Sequence, residues 1–320
     1  MLSCQRSAVA YGAIVNEARP NRPILALILR LFAALSVTVM MAVAKYAHET
    51  GVHLAEIIFW RQMPTAPVLL LWFAFNGGIG RLATRRIGAQ AARALVGLVS
   101  MSCYFSAVSI LPLAEATTIT FSAAIWAVIL SSVLLKEKVG IYRWSAVILG
   151  FVGVLIITQP GTGHIPLLGA GLALTAACLI SLISIQIRDL ARTDEPLTIV
   201  FYFSVFSVPP LALILPFVHH SLSIEQWGLM AALGALGLLS QFLLTAALRF
   251  GVVASVMVMD YSALIWAILI GWGAFGDLPP AATWLGAPLV VGAGLVVAWR
   301  EHHLAKRPSA TPVEAEGTAS

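Results

Sequence analysis

Charge is what this chain has least of. Only 10% of its 320 residues are charged and 60% are hydrophobic, whereas a soluble domain carries about 25% charged residues. So small a supply cannot cover a water-facing surface, which excludes an ordinary soluble globule. Cysteine is scarce too. Cys4, Cys103 and Cys178 are unclustered, so neither a disulfide framework nor a thiolate metal cage is expected. No GxxxxGK stretch offers a phosphate-cradling loop, no HExxH offers a catalytic metal site, and no histidine falls mid-way through an apolar run. The net charge of +5 is not a nucleic-acid signal, because in so apolar a chain Lys and Arg report membrane topology. No cofactor, metal or nucleic acid is expected; the expected partners are a lipid bilayer and a small-molecule solute.

What the chain does have is apolar runs of roughly 20 residues, the length needed to cross a ~30 Å hydrocarbon core. The runs are continuous rather than alternating, which excludes a β-barrel. Ten spans are predicted near 24–44, 56–75, 92–110, 113–135, 142–158, 167–187, 197–217, 226–247, 252–274 and 281–299. The fold class is therefore an all-α polytopic membrane protein. Residues 1–23 form an N-terminal tail without a cleavable signal, since Asn16, Glu17, Arg19 and Arg22 precede the first long run, which serves as its own insertion signal. Residues 300–320 end in a polar stretch rich in Pro, Ala and Glu, expected to be disordered.

Basic residues sort by loop. Arg6, Arg19, Arg22, Arg81, Arg85, Arg86, Lys136, Lys138, Arg143, Arg188, Arg192, Arg249, Arg300, Lys306 and Arg307 fall on one side, and essentially Lys45 alone on the other. This asymmetry predicts an inner-membrane protein with both termini cytoplasmic. His48, His53, His164, His219 and His220 fall in the outer loops, where they serve either as interfacial polar residues or as a pH sensor.

One nonapeptide occurs twice. SAAIWAVIL spans 122–130 and SALIWAILI spans 262–270. At the same offset Ala107 matches Ala247, Ala114 matches Ala254, Trp126 matches Trp266, Trp144 matches Trp284, and Glu137 matches Asp277. The repeat pairs spans four and five with nine and ten, giving two five-helix units, 24–158 and 167–299. Two units with an odd number of spans insert with opposite topologies, and the inverted repeat is a transporter architecture with its site near the midplane.

The stretch VAKYAHETGVHLAEIIFWRQMPTAPVLLL, with Lys45, Glu56 and Arg61, and the stretch LPLAEATTITFSAAIWAVILSSVLLKEKVGIYRWSAVILGFVGVLIIT resemble the first-to-second and fourth-to-fifth helices of EamA-type members of the drug/metabolite transporter superfamily. The resemblance covers about residues 24–299. It implies a basket-like bundle with a central cavity between the repeats, and peripheral fifth and tenth helices. One departure is Asp277, where the family more often has Glu.

Ionisable residues inside spans are costly and therefore candidates for function. Asp260 lies about nine residues into span nine, roughly 13 Å deep at 1.5 Å per residue. It is a candidate to bind a cationic group or a coupling proton; the alternative is a structural hydrogen bond. Glu115 opens span four, either at a site or as an acidic helix start favoured by the dipole. Arg30 and Arg61 lie a few residues inside spans one and two, either snorkelling or holding a substrate carboxylate. Lys45 is an outer anchor or gate. Trp126, Trp266, Tyr104 and Tyr261, with Ser122 and Ser262, are candidates for a cavity wall. Tyr261 points about 100° away from Asp260 on a helix. Gly150, Gly153, Gly234, Gly237, Gly292 and Gly294 are read as close-packing positions, and Pro64, Pro67, Pro209 and Pro210 as paired kinks in spans two and seven. The repeat preserves the bulky residues but not the charges: Thr120 stands opposite Asp260 and Ser255 opposite Glu115.

These readings predict a secondary transporter, with protons as the candidate coupling ion. It exports an amino acid or related metabolite, or alternatively takes up a nucleoside- or cofactor-like solute such as S-adenosylmethionine or riboflavin. An intramembrane enzyme is the remote alternative, with Asp260 and Asp277 its one acidic pair.

Overall fold

The computed structural model describes residues 23–76, 78–134, 136, 140–159, 165–218, 221–250 and 259–305. Readings that concern His164, His219, His220, Glu137, residues 1–22 or residues 306–320 lie outside them. Among the described residues the chain is helical throughout, without strands. Helix α1 is Pro23–Glu49 and α2 is split into α2a, Leu54–Gln62, and α2b, Thr65–Phe75. Helix α3 is Ile87–Ile110, and α4 is split into α4a, Leu113–Thr120, and α4b, Ala123–Leu134. Then come α5 (Ile141–Thr158), α6 (Leu167–Leu190), α7 (Pro196–Val218), α8 (Ile224–Phe250), α9 (Ser262–Phe275, entered by a 3-10 turn Met259–Tyr261) and α10 (Ala281–Ala305). Helix α10 thus continues past the expected end at 299.

Eight of these segments are long and apolar enough to cross a membrane. The other two, Trp144–Thr158 and Met259–Phe275, are shorter apolar helices in the places of spans five and nine. Among the described residues the ten expected spans are thus represented by eight full-length segments and two shorter ones, and residues 252–258 of the expected ninth span lie outside those described.

Sidedness within the bundle is inverted relative to a soluble protein. Phe75, Leu213, Phe217 and Ile224 stand exposed, while Arg30, Lys45, Glu56, Gln90, Arg93 and Glu115 are buried. Exposed apolar area on this scale needs lipid rather than water around it, and polar groups in lipid face the bundle interior.

Strong packing links the two halves. Helix α1 packs on α8 and α3 on α6; α2 packs on α7, α4a on α9 and α5 on α10. Exchanging the labels of the halves, one with six and so on to five with ten, leaves this set unchanged. Helices α5 and α10 run antiparallel: a Cβ on Gly153 would meet the Gly286 carbonyl at 2.8 Å, and one on Gly150 would meet Ala293 at 3.1 Å. Gly234 and Gly237 of α8 lie against α2 in the same manner, 3.3 Å from the Trp60 carbonyl and 3.2 Å from that of Arg61. Gly292 is different, because its added Cβ would touch nothing within 4 Å. It faces outward, so helical spacing alone misassigned it.

Three helices carry breaks or prolines with identifiable causes. Pro64 has no N–H, so the Trp60 carbonyl loses its helical donor and α2 breaks at Met63–Pro64. Helix α7, by contrast, stays helical through Pro209, Pro210 and Pro216. Helix α4 breaks after Thr120. Thr118 and Thr120 donate their hydroxyls to the carbonyls of Ala114 at 2.6 Å and Ala116 at 2.7 Å, a competition that bends helices. The Ser122 N–H then bonds the Ile119 carbonyl in 3-10 fashion.

Candidate functional site

The broken part of α4 and the 3-10 entry to α9 occupy equivalent positions of the repeat, 140 residues apart, and they touch. The Phe121 ring meets its repeat mate Tyr261 edge-on, with centroids 5.0 Å apart. Tyr261 also reaches α10, where a Cβ on Gly294 would sit 1.7 Å from its hydroxyl. Discontinuous helices meeting between two halves free backbone groups and side chains for a ligand deep in a bilayer.

Asp260 stands at this crossing. Its carboxylate accepts two hydrogen bonds from Arg30 of α1, Nε to Oδ1 at 2.5 Å and Nη2 to Oδ2 at 2.6 Å. The pair is a bidentate fork, the strong and oriented form of such contacts. Arg30 is nearly sealed while the Asp260 side chain keeps 41% of its surface. The ion pair is thus buried on its cationic side and open on its anionic side. Arg30 does not snorkel away from the bundle. Asp260 is therefore paired with a protein cation rather than left as a bare anion.

A second ion pair joins the same two helices at their other end. Lys45 Nζ lies 3.0 Å from Asp277 Oδ2, donates to the Leu111 carbonyl at 3.3 Å, and sits 4.8 Å above the Phe275 ring. Glu115, at the start of α4a, is buried beside this group, near Lys45, Asp277 and Thr283. Arg30 meets Asp260 and Lys45 meets Asp277, so α1 and the α9 segment run parallel. The two pairs are about 22 Å apart along α1, at 1.5 Å per residue.

Loops close the bundle differently at its two ends. At the basic end, Arg81 pairs with Glu195 at 3.0 and 2.6 Å, Arg86 pairs with Asp189, and Asp194 accepts from Thr84 at 2.9 Å. These contacts tie the α2–α3 loop to the region between α6 and α7. At the opposite end, Tyr46 bonds Glu225 at 3.2 Å and Gln226 bonds the Thr50 carbonyl at 2.9 Å. His48 contacts the Val52 carbonyl at 3.2 Å and His53 caps α2a through the Ala55 N–H, so both histidines shape the α1–α2 turn.

The remaining candidates disperse. Trp126 packs edge-on against Phe151 of α5. The indole N–H groups of Trp126 and Trp266 are buried with no partner among the described residues, as is the Ser122 hydroxyl. Ser262 instead donates to the Met259 carbonyl at 2.6 Å and closes the 3-10 turn. Tyr104 of α3 lies against Thr117. Arg61 sits away from the Arg30–Asp260 crossing, at the end of α2a, next to a residue the sequence reading passed over. Arg93 belongs to α3, which starts at Ile87 rather than 92. That earlier start places Arg93 roughly 9 Å inside the helix at 1.5 Å per residue. Arg93 keeps only 8% of its surface, and its Nε and Nη1 have no partner among the described residues. An uncompensated charge so placed costs several kcal/mol.

Against this geometry, comparison with known proteins is informative. The profile of the EamA-like transporter family matches residues 24–159 and 167–299, in two consecutive units. A riboflavin transporter of Vibrio cholerae serotype O1 is 27% identical over 274 residues, covering 85% of this chain and 92% of its own. A pseudopaline exporter of Pseudomonas aeruginosa is 26% identical over 265 residues, covering 82% and 92%. An S-adenosylmethionine uptake transporter of Rickettsia felis is 23% identical over 254 residues, covering 79% and 85%. One solved crystal structure superposes with a TM-score of 0.59 at 19% identity, over 88% of this chain and 99% of its own; that likeness is one of fold.

Proposed function

We propose that this chain, which belongs to the EamA-like transporter family, moves a small organic metabolite across the inner membrane by alternating access of two inverted five-helix halves. The observation that carries the reading is the half-open Arg30–Asp260 pair at the meeting of the broken α4 and α9. Inversion is supported by the exchange-invariant packing of the halves and by the odd number of segments in each. A cytoplasmic position for both termini is supported by the gathering of basic residues at one end.

Two ion pairs between the same two helices act as gates. Opening the outer end separates Lys45 from Asp277, and opening the inner end separates Arg30 from Asp260. Opening either end breaks only one pair, so the cost of exposing a charge is confined to the side that hydrates. A proton is the coupling ion: protonating Asp260 removes the charge that holds Arg30 and frees the inner gate. Secondary transport of this kind needs no nucleotide site.

For the cargo, export of an amino acid or related compound is the first reading, with the pseudopaline exporter among the relatives that support it. Uptake of a cofactor-like solute is the second, supported by the relatives named for riboflavin and S-adenosylmethionine. Purified protein in liposomes, loaded with labelled amino acids, riboflavin or S-adenosylmethionine, separates them. Saturable counterflow of one solute, faster with a pH gradient, is the expected result. Counterflow of none of these, with or without the gradient, overturns both cargo readings.

A further inference from the structure

We propose that Arg61 and Arg93 form an oxyanion site inside the bundle, which takes the carboxylate or phosphate group of the transported solute; this rests on the transporter reading above. The two guanidinium groups come from the last turn of α2a and the second turn of α3, and both reach the same stretch of α7: Arg93 lies over Phe203, while Ser204 donates to the carbonyl of Gln62, next to Arg61. No ion pair to either is formed among the described residues. Asp194, which Gln90 of the same helix as Arg93 reaches at 2.6 Å, also accepts from Thr84 at 2.9 Å.

The donors left over are those an oxyanion needs. Arg61 spends Nη1 on the Gln62 side-chain oxygen and on the sulfur of Met101 at 3.1 Å, and sulfur is a weak acceptor. Its Nε is buried and has no partner among the described residues, as is the case for Arg93 Nε and Nη1, Gln62 Nε2 and the Ser207 hydroxyl. The Arg93 guanidinium carbon lies over the Phe203 ring, 4.3 Å from its centroid, a contact that uses the face of the guanidinium rather than its N–H donors. Gly97, one turn along α3 from Arg93, permits this, because a Cβ there would fall 2.7 Å from the Phe203 ring. Ser204 donates to the Gln62 carbonyl at 2.7 Å and ties α7 to the end of α2a.

Two like charges held together in a low-dielectric interior, each with unmet N–H donors, are stable only with an anion or its equivalent between them. Planar forks bind carboxylate and phosphate oxygens in pairs. With two positive charges on the site, a dianion such as a dicarboxylate or a phosphate monoester is the best match.

The test uses the full-length protein in lipid nanodiscs. Its melting temperature is followed against succinate, inorganic phosphate and uncharged succinamide at constant ionic strength. The expected result is a saturable rise with succinate, phosphate or both, and none with succinamide. Arg61→Gln and Arg93→Gln each raise the half-saturating concentration at least tenfold, Arg→Lys at either position less so, and exposed Arg85→Gln not at all. Response to succinate alone assigns a carboxylate cargo, and response to phosphate alone a phosphate ester. No saturable response in the wild-type protein overturns the site, even if the variants fail to fold, and so does an unchanged response in both Gln variants. Counterflow of an uncharged solute without any anion response sinks this site and leaves the transporter reading standing. An anion response without counterflow of any solute does the reverse.

Discussion

Asp260 and Arg30 are 230 residues apart and share two hydrogen bonds. Removing one partner strands the other. Asp260→Ala leaves Arg30 buried and unpaired, at a cost of roughly 3 kcal/mol, the low end for a broken buried pair because Asp260 is half open. The double variant Arg30→Ala/Asp260→Ala is expected to melt closer to wild type than Asp260→Ala does, yet to transport no better. If the double variant regains transport along with stability, the pair is only structural. An acid inside an apolar run stands out in a sequence because lipid makes it costly, which is why Asp260 was legible. Its partner was not: no spacing rule links positions in the first and ninth helices. Arg93 was missed for another reason. A span drawn from 92 puts it at the mouth of the helix, and only the true start at Ile87 carries it inside.

Where two helices come close, a single glycine decides the approach. Gly153 and Gly286 face one another across α5 and α10, each with the other's carbonyl under 3 Å from an added Cβ. Gly153→Leu is expected to lower stability by about 1–3 kcal/mol through overpacking, seen as a lower melting temperature of the purified protein. Gly292→Leu, with open space around it, is expected to melt like wild type; a fall equal to that of Gly153→Leu contradicts the packing described here. Apolar runs and repeat offsets announced which helices exist and which correspond. The helix breaks were less legible. SAAIWAVIL and SALIWAILI look like uninterrupted helix, and the break in α4 comes from threonine hydroxyls just ahead of the nonapeptide turning back on their own carbonyls. The prolines of the two equivalent helices act differently, since α2 breaks at Pro64 while α7 stays helical through Pro209 and Pro210.

At the scale of the whole molecule, the basic residues gather at one end of the bundle, and the proposed sidedness rests on that difference. With Cys4, Cys103 and Cys178 replaced by serine, a cysteine at Glu49 is expected to react with a membrane-impermeant thiol reagent in intact cells. A cysteine at Arg85 is expected to react only after the cells are opened; the reverse pattern inverts the topology proposed here. The exchange-invariant packing of the halves and the two gates on α1 and α9 converge on one claim, that the protein alternates between inward- and outward-open forms. Locking one gate tests that claim most directly. In the same serine background, Lys45→Cys/Asp277→Cys is bridged by a short bis-maleimide in liposomes, and counterflow of the solute identified above is measured before and after. The expected result is that counterflow falls to background on bridging, while each single cysteine treated with the same reagent retains transport. Undiminished counterflow in the bridged protein contradicts alternating access through this end.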